Sequence, residues 1–392
     1  MIPDWAYIPP EIVHLISQKV KSITDYVRFR AVCSPWRSAS LPKPHNLPPQ
    51  LPWLMIPYYP HKKFVSEDRF FFDLWEGKMR KLHLPETRDM LCCASYRGWL
   101  LLAAHPNGTE VCLLNPLTRA RIQLPPFTAS VKHFGDDPDN FFVRVNFVSY
   151  MDGIEVGKVS FSTDLTDPNC LIMLNCKITV FNMKCGVIFV CRVGDPCWTS
   201  VNSSLNSSLE FPDAMYHNGR FYLLYKEGIA IIEPNKPVQK FVYYFEPELK
   251  ALHKYFLKGK SGIHIVVVHP AQNEDDPSAH DTKEAIKKIH EKFWLYQFLD
   301  QQGELKLISN TSNTAIFLDM SLFLAVCSSD WDSLNEGSIY YMYSEKHPTG
   351  ACYTVYSAKW DEGKFEPVVH DFGKELLIRP HEVAMWFQPS LV

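Results

Sequence analysis

The chain has no uninterrupted apolar run of the roughly 20 residues that a membrane-spanning helix requires. Its most apolar stretch, Cys170 to Val193, is broken by Asn175, Lys177, Asn182 and Lys184. The first twenty residues carry Asp4, Glu11, His14 and Lys19 and lack the apolar core of a secretory signal, so the expected location is intracellular, in cytoplasm or nucleus or both. An excess of one charge is also missing. With a net charge of −3 there is no global basic field to hold nucleic acid or an anionic membrane, and neither is an expected partner.

Metal-type cysteine spacing is absent as well. Cys185, Cys191 and Cys197 recur every six residues, whereas zinc sites use pairs two to four apart with a matching second pair, so no metal is expected. The eleven cysteines are an odd number at irregular spacing and read as small buried hydrophobes of a reducing compartment. The Asn-x-Ser/Thr sites at Asn107, Asn202, Asn206 and Asn310 then read as turn residues. There is no Gly-x-Ser-x-Gly elbow, no phosphate-binding Walker loop, no His-Glu-x-x-His and no dinucleotide-binding glycine fingerprint. No catalytic residue and no cofactor is expected. An enzymatic role would need carboxylates or histidines converging in a channel, which linear spacing does not reveal.

What is present divides into unequal parts. The full 392 residues exceed the size at which a single core stops growing, which predicts two domains or one large closed architecture. At the N-terminus, Pro9 and Pro10 stand where a helix's first turn tolerates a missing N–H. Ile8, Ile12, Leu15, Ile16 and Val20 then recur at helical spacing, with Glu11, Gln18 and Lys19 on the other side. Ser22 and Thr24 are candidate N-caps for a second helix with Val27, Ala31 and Val32 on one face. Ser34-Pro35 reads as the N-cap and first residue of a third, carrying Trp36. Three helices in about 30 residues bury too little to fold alone, because units below roughly 40 residues need staples or association. Their leftover apolar faces demand a partner.

This block resembles the F-box family. The family pattern, Leu-Pro-x-Glu-Leu-Leu and later Val-Cys-x-x-Trp-Arg, stands here as Ile8-Pro9-Pro10-Glu11-Ile12-Val13 and Val32-Cys33-Ser34-Pro35-Trp36-Arg37, with Ile8 in place of the commoner Leu. The resemblance implies docking onto the SKP-type adaptor, and through it the cullin, of an SCF ubiquitin ligase. The implied contacts are Ile8, Pro9, Ile12, Ile16, Val27, Val32, Cys33 and Trp36.

Residues 1–40 form this block, and 41–60 read as a linker, since prolines at 42, 44, 48, 49, 52, 57 and 60 favour stiff extended chain. From residue 61 to 392 the pattern becomes short apolar runs separated by hairpin signals: Glu76-Gly77, Asn107-Gly108, Asp152-Gly153, Asn218-Gly219, Glu227-Gly228, Gln302-Gly303 and Glu362-Gly363. Asn115-Pro116 reads as a type I turn, with a strand resuming over 118–124. The segments 80–85 and 120–125 align at an offset of 40, both ending Leu-Pro. The strands led by Gly98, Gly219 and Gly337 lie 121 and 118 apart, near three such periods. Propeller blades repeat at about 40 to 50 residues, which predicts a mostly β chain with a small helical N-terminal domain and a β-propeller of about six to eight blades.

The same region is similar to the plant KIB-type F-box-associated propeller. Ser95-Tyr96-Arg97-Gly98-Trp99-Leu100, Leu113-Leu114-Asn115-Pro116-Leu117-Thr118, the run from Cys191 to Trp198, and Ile339-Tyr340-Tyr341 carry the likeness. That resemblance implies a propeller that binds a partner or target protein. Residues 272–292 read as an inserted loop with a short helix, and most tryptophans beyond the first block as blade core, any on the propeller's top face being natural anchors for a peptide. The expected function is the substrate-recognition subunit of an SCF ligase, itself non-catalytic. The alternative is a binding module that sequesters or blocks a partner without ubiquitin transfer.

Overall fold

The computed structural model describes residues 5–42, 44, 47–48, 50–56, 67–104, 108–127, 132–133, 154–180, 183–201, 213–232, 240–250, 253–259, 262–269, 292–308, 314–318, 323–327, 337–347, 350–359, 366–372 and 385–391. Three helices come first: α1 (Pro10–Ser17), α2 (Ile23–Ala31) and α3 (Ser34–Ala39). Pro9 is the N-cap of α1, and its carbonyl accepts from the Ile12 and Val13 amides at 3.0 and 3.1 Å. Ser22, rather than Thr24, caps α2, its hydroxyl accepting from the Asp25 amide at 3.4 Å. The third helix starts one residue earlier than the Ser-Pro pair suggests, because extended Cys33 is the N-cap and Ser34 already adopts helical geometry. No described helix is long and apolar enough to cross a membrane.

Six sheets follow among the described residues. Blade 1 holds Trp53–Ile56, Asp68–Asp73 and Lys78–His83, and its innermost strand is Met385–Phe387 from the far end of the chain. Blade 2 is the meander Met90–Tyr96, Trp99–Ala104, Val111–Leu114 and Arg121–Leu124. Blade 3 comprises Ile154–Phe161, Leu171–Val180, Met183–Arg192 and Thr199–Val201, with Lys132–His133 added in parallel on the outside. Blade 4 runs Asp213–His217, Arg220–Leu224, Gly228–Ile232 and Lys240–Tyr244. Blade 5 runs His253–Gly259, Gly262–His269, Lys292–Leu299 and Glu304–Leu307. In blade 6, Thr314–Leu318 pairs antiparallel with Phe323–Cys327 and parallel with Ser338–His347, which continues through Gly350–Lys359 to Glu366–Phe372.

Side-chain alternation with period 2 closes these sheets into a ring, because each middle strand feeds two cores. Leu100 and Leu102 face blade 1, while Leu101 and Ala103 face blade 3. Phe221 and Leu223 pack toward blade 3, Tyr222 and Leu224 toward blade 5. Trp53 and Met55 pack toward blade 2, whereas Leu54 and Ile56 join Phe317, Tyr340 and Val355 of blade 6. Strands buried on both faces read as continuous apolar runs, as in Trp99-Leu100-Leu101-Leu102.

The offset of 40 matches the outermost strands of blades 1 and 2. The Gly-led strands at 98, 219 and 337, however, lie in blades 2, 4 and 6, so each interval spans two blades rather than three periods. Chain added between strands stretches the repeat. The stretch 41–60 is also not all spacer: Pro52 and Pro57 bracket four residues, Trp53–Ile56, that form a strand of blade 1. Around Asn115 the turn is wider than type I. The Arg119 amide donates to the Asn115 carbonyl at 2.9 Å with Arg119 at φ +63°, and the strand resumes only at Arg121. The turns at Asp152-Gly153 and Glu362-Gly363 and nearly all of the 272–292 insertion lie outside the described residues.

Candidate functional site

The helical block buries one set of side chains and leaves another open. Val13, Ser17, Tyr26 and Phe29 are inside, with the Phe29 ring 4.5 Å from that of Trp36. The Tyr26 hydroxyl donates to the Leu41 carbonyl at 2.7 Å, closing the block. Because i, i+3 and i+4 share a helix face, Ile12, Leu15 and Ile16 make one continuous apolar strip on α1. These three, with Val27 on α2 and Val32 at its end, are 41–55% exposed. Trp5 and Tyr7, just before α1, are more exposed still.

Of the residues expected to touch an adaptor, Ile12, Ile16, Val27 and Val32 therefore present apolar surface, and Pro9 is exposed as the cap of α1. Ile8 is half-buried, and Cys33 is a half-buried helix cap. Trp36 is also half-buried and is largely used inside the block: its ring lies against Phe29, and its indole N–H donates to the Trp5 carbonyl at 2.9 Å. Sequence spacing put Leu15 on the stripe but not among the contacts, although it is as open as Val32. Trp5 and Tyr7 fall outside the motif, and only their isolation from any apolar period could have flagged them.

The block is anchored to the propeller through the start of α2. Ile23, at the first position of α2, buries its side chain among Trp53, Met55, Leu100 and Met385 of the propeller. Its amide donates to the side chain of Gln50 at 2.7 Å. The C-terminal segment after Phe387 runs under the same rim. The Ser390 carbonyl accepts from the Asn115 side chain at 3.0 Å, and Ser390 lies so close to Gly98 that a Cβ there would sit 2.4 Å from its own.

Within the ring, polar groups on the inner strands serve as clamps. Asp213 accepts from Lys158 of blade 3 at 2.7 Å, from the Ala214 amide at 2.8 Å and from the Phe256 amide of blade 5 at 2.6 Å. Thiols line the blade cores: burial pushes Cys112 up to about 11 and raises Cys176 and Cys191 as well. Among the described residues no three His, Cys, Asp or Glu side chains gather as metal ligands. Trp53, Trp99, Trp198 and Trp386 are buried blade core, Trp75 and Trp294 are partly so, and Trp331 and Trp360 lie outside the described residues.

A closed ring of blades with a small helical head, apolar side chains exposed on its first two helices, defines a β-propeller protein. The chain belongs to the KIB1-4 beta-propeller family, whose model matches residues 71–370. Curated relatives of the chain include F-box proteins of Arabidopsis thaliana. The F-box protein SKIP23 is 22% identical over 372 residues, 86% of this chain and 83% of that one. The putative F-box protein At5g38270 is 24% identical over 253 residues, 60% of this chain and 58% of that one. F-box protein At2g17036 is 24% identical over 236 residues, so the chain spans little more than half, 55%, of that relative. The solved structure of TolB from Acinetobacter baumannii aligns with a TM-score of 0.43 at 10% identity over 86% of this chain and 66% of that one, too loosely to carry an argument.

Proposed function

We propose that this chain is the substrate-recognition subunit of an SCF-type E3 ubiquitin ligase. Its helical head docks the SKP-type adaptor, and through it the cullin, while the propeller holds a target protein for ubiquitination by a separate enzyme. The observation that carries the reading is the exposure of Ile12, Leu15, Ile16, Val27 and Val32 on a block that buries Val13, Ile23, Tyr26 and Phe29. The proposed contacts are these residues with Ile8, Pro9, Cys33 and the exposed part of Trp36. Transfer by proximity needs no nucleophile on this chain, only a raised effective concentration of target beside the transferring enzyme. Such work places the protein in the cytoplasm or nucleus.

The test is capture of a purified SKP-type adaptor by the full chain. Ile12→Asp and Ile16→Asp place charge in the centre of the strip and are expected to weaken capture roughly thirtyfold or more, the loss that goes with about 2 kcal/mol at an interface hot spot. Equal capture by folded wild-type and variant chains rejects the docking face.

A further inference from the structure

We propose that Gln50 is a positioning residue that holds the helical head at one angle to the propeller. This rests on the reading of the head as the docking end and the ring as the target-holding end.

Gln50 lies in the proline-rich connection, yet it is buried and all of its side-chain polar atoms are engaged. Its Oε1 accepts from the Ile23 amide at 2.7 Å, and its Nε2 donates to the carbonyls of Lys21 at 2.9 Å and Pro48 at 2.7 Å. Two carbonyls need a donor and the amide needs an acceptor, so only one orientation of the side chain satisfies all three. The first amide of α2 is one of the four that a helix cannot satisfy from within, and here the connection supplies the partner. Gln50 is tied in turn to the far end of the chain, its own carbonyl accepting from the Gln388 side chain at 3.3 Å.

The seat around it is not a broad packed interface. A cleft of about 400 Å³ opens beside it, lined among others by Ile23, Gln50, Arg97, Trp99, Asp164 and Leu391. The angle of the head therefore depends on a few contacts: the Ile23 side chain in the blade 1–blade 2 core, and the Gln50 amide that fixes the chain on either side of it. Swinging the head orphans the Ile23 amide in a buried setting, which is the costly outcome for a hydrogen-bonding group. The two ends of the adaptor then keep a constant mutual orientation.

Gln50→Met keeps most of the volume and removes the bonds, and Gln50→Ala removes both. In the full chain, hydrogen exchange at the Ile23 amide is expected to rise about tenfold or more in each variant, since local opening sets that rate. Adaptor capture should stay within about twofold of wild type, because buried Gln50 contributes no side chain to the exposed residues. Small-angle scattering of the adaptor complex should show a wider distance distribution, with the adaptor acting as a lever arm. Unchanged exchange and scattering in both variants overturn the proposal, and so does lower thermal stability with the distance distribution of the folded complex unchanged. If the wild-type chain captures no adaptor, the docking reading fails, while exchange on the chain alone still decides whether Gln50 holds the head.

Discussion

Neighbouring residues of α1 have opposite fates, Val13 sealed in the block and Ile12 open to solvent. Their alanine variants should separate accordingly. Ile12→Ala is expected to leave stability within about 0.5 kcal/mol, and Val13→Ala to cost on the order of 1–2 kcal/mol as a buried truncation, both read by denaturant unfolding of the full chain. His264 offers a pH test. Burial lowers its pKa below the ordinary 6.5, with a backbone bond to Gly262 opposing the shift. A depressed histidine is neutral in the folded chain while the unfolded chain takes up the proton, so its contribution is present above about pH 6.5 and is lost as pH falls below it. Unfolding free energy should thus decline as pH falls below 6.5, by no more than about 1.4 kcal/mol per pH unit for one proton, and His264→Gln should flatten that decline. An identical slope in the variant assigns the effect elsewhere.

At the scale of elements, Trp36 belongs to α3's packing before it belongs to any partner. Trp36→Ala removes the ring that lies against Phe29 and the bond to the Trp5 carbonyl, so it is expected to loosen α3 as well as to weaken adaptor capture. Gly228→Ala should strain blade 4, because the added Cβ would meet the Tyr243 carbonyl oxygen at 2.0 Å. An unchanged melting temperature in that variant argues against this close strand approach. Much of this level was legible beforehand. The Pro-Pro start, the Ser22 cap and the open stripe of α1 are local signals, as are the Asn218-Gly219 turn, with both residues at positive φ, and the Leu-Pro-ended outer strands. Elements set by distant contacts were not. Trp53–Ile56 hides among prolines because its strand character comes from pairing with residues 385–387, and Gln50 carries no local mark because its partner amide lies 27 residues earlier. The blade period was distorted by chain inserted between strands, which linear offsets count and sheet geometry does not.

At the scale of the molecule, the ring is held by the pairing of Met385–Phe387 with Trp53–Ile56 and by clamps between blades. Asp213 is one such clamp, joining inner strands of blades 3, 4 and 5. Asp213→Ala leaves the Lys158 ammonium and the Phe256 amide without their carboxylate in a mostly buried setting, and a loss of about 3 kcal/mol is expected, measured by chemical denaturation. A loss within about 0.5 kcal/mol, the range of ordinary surface changes, rejects the clamp.

The last inner strand also sets a clock. Met385 is synthesised some 330 residues after Trp53, a delay of roughly half a minute at ordinary translation rates. Throughout that interval Trp53–Ile56 waits with one edge unpaired, and Ile23 lacks part of the core that seats the head. The exposed apolar residues of α1 and α2, by contrast, emerge first. During each round of synthesis the nascent chain thus exposes the apolar side chains of its first helices while the ring is still open, a window in which the unpaired strand edge is also an aggregation hazard.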